Sequence, residues 1–170
     1  MKGKMGKKVA VCGVLVALAM IFSYIEVLIP FNFGVPGMKL GLANLVIVIG
    51  FYFLKPKEVL LISLVRIFMM GYMFGNGMSI IYSLAGGMLS FAVMLMLTKF
   101  VDLSIIGISI AGGVFHNVGQ LGAAAVVLHN TAVFYYFPAL LISGVVTGFL
   151  IGILSKRVVR VVSTEGRKLT

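Results

Sequence analysis

Seven residues in this chain could do chemistry, and each sits within or beside an apolar run: Glu26, Lys39, Asn44, Arg66, His116, Asn117 and Gln120. Their types suit capture of a solute rather than the making of bonds. Arg66 and Lys39 supply positive charge, Glu26 orients them, and the two asparagines, Gln120 and His116 supply hydrogen bonds. The densest patch is the stretch from Gly112 to Gln120, where His116, Asn117 and Gln120 interrupt a run that is otherwise apolar or small. On a helix, residues three and four apart share a face, so His116 and Gln120 align and Asn117 lies close by. Burying such groups unpaired costs about 2–7 kcal/mol, depending on the reference state. They therefore face a bundle interior or a cavity. The competing reading is structural: Glu26 pairs with Lys39 or Arg66, and the amides act as interhelical glue worth about 0.6 kcal/mol each.

Other chemistries lack their residues. No Gly-rich phosphate loop ends in Lys-Ser/Thr, so the chain is not expected to hydrolyse ATP itself. No His-Glu-x-x-His or Cys/His ligand spacing is present, and no metal or cofactor is expected. Diphosphate chemistry on two magnesium ions needs clustered carboxylates. This chain offers Asp102 and Glu26, Glu58 and Glu165, far apart in sequence. We therefore expect no self-sufficient prenyl-transfer catalysis and class the chain as a non-enzyme.

The elements that must position these residues are apolar helices. Of 170 residues 61% are hydrophobic and 11% charged, so the expected solvent is lipid. Six spans are predicted, at about 9–29, 40–54, 58–74, 78–98, 103–128 and 132–155. Pro/Gly, Lys-Pro-Lys and Gly-Asn-Gly stretches break them. Residues 1–8 are read as a basic cytoplasmic N-terminus, 9–155 as the six-helix transmembrane domain and 156–170 as a basic cytoplasmic tail. Ala17-Leu18-Ala19 imitates a signal cleavage site, but the apolar run continues past it, so the first helix is read as retained.

The net charge of +10 would suit nucleic acid, but its distribution argues for membrane topology instead. With a cytoplasmic N-terminus, 12 of the 14 Lys and Arg residues fall inside, leaving Lys39 at the outer edge and Arg66 within a span. The prediction is a multi-pass cell-membrane protein with both termini cytoplasmic. It puts the polar residues between the midplane and the outer face.

Small residues suggest packing. Gly144-xxx-Gly148-xxx-Gly152 in the sixth span is read as a seam within the bundle. Gly13-xxx-Ala17 in the first span is read as either a bundle contact or a docking surface for a partner subunit. The single cysteine, Cys12, is expected to pack as a small hydrophobe.

The stretch from Ile29 to Gly75 combines a Pro-containing loop, Lys39-Leu40-Gly41-Leu42-Ala43-Asn44, a short helix, Lys55-Pro56-Lys57 and an Arg-bearing helix. With Tyr82 to Gly87 and His116 to Gln120, it resembles the Gx transporter, or heptaprenyl diphosphate synthase component I, membrane family across residues 9–155. That family resembles the substrate-binding S components of energy-coupling-factor importers. The resemblance implies a six-helix bundle of that type, with a coupling subunit and ATPase subunits as partners and Gly13 and Ala17 as the docking surface. The function expected is thus a substrate-binding subunit of an ATP-driven importer for a small metabolite. The alternative is a non-catalytic membrane subunit that presents an isoprenoid- or quinone-type lipid to a partner enzyme.

Overall fold

The computed structural model describes residues 2–28 and 41–168. They form six α-helices: α1 (Lys2–Leu28), α2 (Asn44–Phe53), α3 (Pro56–Phe74), α4 (Gly77–Phe100), α5 (Ile105–Leu128) and α6 (Phe137–Lys168). A 3-10 helix, Thr131–Tyr136, leads into α6. The stretches Val9–Leu28, Gly77–Phe100, Ile105–Leu128 and Thr131–Thr164 are long and apolar enough to cross a membrane. The all-α membrane bundle expected from composition is thus what the chain builds.

Local chemistry sets the helix ends. The residue before a proline is pushed out of the helical region. Lys55 accordingly adopts ψ 148° and separates α2 from Pro56, the first residue of α3. Glu58 Oε2 accepts from the Lys55 N–H at 2.9 Å. Asn76 Oδ1 accepts from the Ser79 N–H at 2.9 Å and Ser104 Oγ from the Gly107 N–H at 3.2 Å, starting α4 and α5. Such side chains satisfy N–H groups that a helix start leaves orphaned. His129 closes α5 in the left-handed region at φ 48°.

Three lengths differ from the sequence expectation. The second span shrinks to the 10 residues of α2, about 15 Å long and half of a hydrocarbon thickness. Such a short helix is tolerated at membrane depth when protein surrounds it. α2 does touch each of the other five helices, and Asn44, Leu45, Val46, Ile47, Val48 and Gly50 are buried. The sixth helix does not stop at Ser155 but continues to Lys168. The first likewise begins at Lys2. Lys and Arg are good helix formers and no proline intervenes, so nothing local ends either helix at the membrane edge.

The core wraps α2. Ala19 of α1, Val46, Ile47 and Val48 of α2, Val59 and Ile62 of α3, Phe91 and Met94 of α4, and Ile108 of α5 form one cluster, with Cys12 packed against it. A second cluster joins Tyr82, Leu121, Ala124, Val133 and Leu140 near the 3-10 helix. α5 and α6 meet backbone to backbone. A Cβ added at Gly148 would lie 2.6 Å from Ile110 Cα, and one at Gly152 2.7 Å from Ile106 Cα. The glycine ridge of the sixth span is therefore a seam inside the bundle, as its spacing predicts. On α1, by contrast, Gly13 and Ala17 are exposed, and a Cβ at Gly13 meets nothing within 4 Å.

Candidate functional site

The polar residues read from the sequence gather at one end of α2. Glu26, two residues before the end of α1 as described, is 8% exposed. Its Oε1 accepts from the backbone N–H of Gly41. Gly41 has φ +84°, a conformation that an L side chain rarely adopts. The space its Cβ would fill is already taken, with Asn44 Nδ2 and His116 Cδ2 both 3.1 Å away. Gly41 is thus the point where α1, α2 and α5 converge.

Arg66 joins this cluster from α3. It is 4% exposed, and its Nη1 donates to Ser23 Oγ of α1 at 3.0 Å. Ser23 and Glu26 are three residues apart and so share a face. Glu26 is also the carboxylate whose charge acts on Arg66. From α5, His116 Nε2 and Gln120 Nε2 lie 3.0 Å apart, the pairing that an i, i+4 spacing permits. Gly86 of α4 makes room for them, since a Cβ there would sit 2.6 Å from the His116 carbonyl and 2.8 Å from Gln120 Cγ.

Of the seven expected residues, Glu26, Asn44 and His116 meet around Gly41, Arg66 adjoins through Ser23 and Glu26, and Gln120 is carried by His116. Asn117 is turned away and donates to the Leu140 carbonyl of α6 at 2.8 Å, a helix-to-helix tie. Lys39 lies outside the described residues. Sequence reasoning passed over Ser23, because a lone serine in an apolar helix carries no charge to flag it. Its spacing from Glu26 was the available signal.

Two buried donors in the cluster, Asn44 Nδ2 and Arg66 Nε, have no hydrogen-bond partner among the described residues. Asn44 itself is 4% exposed. Each such donor carries its full desolvation penalty, about 1–3 kcal/mol and more for a charged group. Among the described residues no three His, Cys, Asp or Glu side chains come together as metal ligands.

A second feature lies at the other end of α2, about 14 Å along its axis. Val11 and Leu15 of α1, Ile49, Phe53 and Leu54 around the end of α2, and Val158 and Val162 of α6 line an apolar cavity of about 530 Å³. Among the described residues α1 and α6 do not pack against each other, so the cavity is a cleft between them floored by α2. It exists only because α6 continues past Ser155, which the sequence reading did not foresee. Its size falls within the range of small-molecule sites, about 300–1,000 Å³.

An all-helical membrane bundle with a buried polar cluster at one end and an apolar cleft at the other is the class of protein these features define. Residues 15–158 match the family described as heptaprenyl diphosphate synthase component I, and the chain belongs to that family. No curated protein and no solved structure matches it.

Proposed function

We propose that this chain is a non-catalytic membrane subunit that holds an isoprenoid- or quinone-type lipid and presents it to a partner synthase component. The observation that carries this reading is the cleft between α1 and α6, whose seven lining residues are all apolar. The family description supports the lipid class, since heptaprenyl diphosphate synthesis makes a long isoprenoid. The scattered carboxylates support a non-catalytic role, because magnesium-dependent diphosphate chemistry needs them clustered. Lipid tails are as apolar as leucine, so selectivity in such a cleft comes from shape rather than from a hydrophobic driving force. The charge bias supports a cleft at the cytoplasmic face of the cell membrane, with both termini inside.

Photolabelling tests the reading. A diazirine-bearing isoprenoid diphosphate, incubated with the membrane-embedded protein, is expected to label peptides from α1 and α6 around Leu15 and Val158. Filling the cleft with Leu15→Trp and Val158→Trp is expected to remove that labelling. Labelling spread evenly over the lipid-facing helices, and unchanged in the double variant, would count against it.

The exposed Gly13 and Ala17 face favours a second reading, docking to a coupling subunit and ATPase subunits in an importer for a small metabolite. Co-purification of ATPase subunits that is lost with Gly13→Leu or Ala17→Leu would support it. Co-purification with a prenyl-transfer enzyme instead supports lipid presentation.

A further inference from the structure

We infer that the polar cluster at the Asn44 end of α2 is a ligand site, and that its ligand is a small solute bringing acceptor oxygens, either a carboxylate or a ring carbonyl. The inference goes beyond lipid presentation, uses none of the cleft residues, and stands without it.

The argument starts from what the cluster leaves open. Ser23 Oγ takes one Arg66 N–H, and Glu26 Oε1 takes the Gly41 N–H. Arg66 Nε and Asn44 Nδ2 remain, both N–H donors, both buried and both without a partner among the described residues. Both of these leftover groups are donors, and the complement of each is an acceptor. The two donors come from α3 and α2, and Glu26 links them, acting on Arg66 through its charge and on the Asn44 side through Gly41.

A purely structural cluster would be expected to close on itself, because a half-satisfied buried network is worse than an apolar one. Elsewhere in the bundle Asn117 Oδ1, Ser109 Oγ and Ser155 Oγ are left over among the described residues, but the buried amide N–H group there does close. Asn117 Nδ2 reaches Leu140 O at 2.8 Å, and Ser90 Oγ reaches Gly112 O, also at 2.8 Å. Asn44 differs from Asn117 in that its amide N–H group finds no acceptor among the described residues. Its side-chain N–H group gives the fold no hydrogen bond, so deleting it removes a desolvation penalty and no contact that holds helices together.

That difference supplies the test. Wild-type protein in detergent is titrated calorimetrically with two pairs of probes, acetate and acetamide, then benzoate and benzamide. Each pair matches a carboxylate against a neutral carbonyl of the same shape. Binding of at least one probe is expected, weakened tenfold or more in Asn44→Leu, while that variant unfolds at the same or a higher temperature. Asn44→Ala, which cannot overpack the site, is expected to behave alike. Binding by the acids alone identifies an anionic ligand, and binding by the amides as well identifies a carbonyl. Failure of all four probes to bind overturns the inference. So does undiminished binding in both variants, or a fall in unfolding temperature in both variants, which would make Asn44 a structural residue.

Discussion

Arg66 of α3 donates through Nη1 to Ser23 Oγ of α1 at 3.0 Å, with both side chains buried. An arginine at the centre of a membrane helix costs about 2.5–3.5 kcal/mol on insertion scales. It persists here because α1 answers it twice, with a hydroxyl at Ser23 and a charge at Glu26 one helical turn away. Hydrogen bonds to charged groups contribute about 1.5–3 kcal/mol. Ser23→Ala should therefore lower stability by about that amount, read as the unfolding midpoint in detergent. An unchanged midpoint would mean that this tie does not hold α1 to α3.

The glycines of α6 and α1 make opposite predictions. At Gly148 an added methyl meets the backbone of Ile110 at 2.6 Å, which no side-chain rotation relieves. Gly148→Ala should cost about 1–3 kcal/mol, the usual range for overpacking. At Gly13 the methyl meets nothing, and Gly13→Ala should leave stability unchanged or raise it by up to about 1 kcal/mol through helix propensity. Thermal unfolding of the two variants side by side checks both.

Gly41 fixes the meeting of three helices. Its φ of +84° and the crowding by Asn44 and His116 both disfavour any side chain. Gly41→Ala should cost about 1–2 kcal/mol from backbone strain alone and should loosen the Glu26 contact that depends on it. A fully stable Gly41→Ala protein, measured by denaturation, would contradict this placement.

The proposed orientation rests on the distribution of basic residues. In a Cys12→Ala background, a membrane-impermeant maleimide added to intact cells should label Thr131→Cys and leave Lys99→Cys untouched. The reverse pattern would invert the bundle and put the apolar cleft at the outer face.

Much of this architecture was legible in the sequence, because lipid solvent writes helices as long apolar runs and their breaks as Pro, Gly and Asn. The breaks at Lys55-Pro56 and Asn76 fall where their turn chemistry indicates. The four-residue glycine spacing marked a seam within the bundle, and the structure supplies α5 as its partner. Two things were not legible. Helix ends without a breaker are set by tertiary context, so the extension of α6 to Lys168, and the cleft it completes with Val158 and Val162, had no local signature. Which way a polar side chain turns on a helix buried on several sides was equally hidden. His116 and Asn117 are adjacent in sequence, yet one meets Gly41 and the other ties α5 to Leu140.

Native mass spectrometry of gently extracted protein tests the central claim most directly. The lipid-presenting account predicts a retained adduct with the mass of an isoprenoid or quinone, lost when Leu15→Trp and Val158→Trp fill the cleft. An adduct of ordinary phospholipid alone, or an isoprenoid adduct that survives both substitutions, would contradict it.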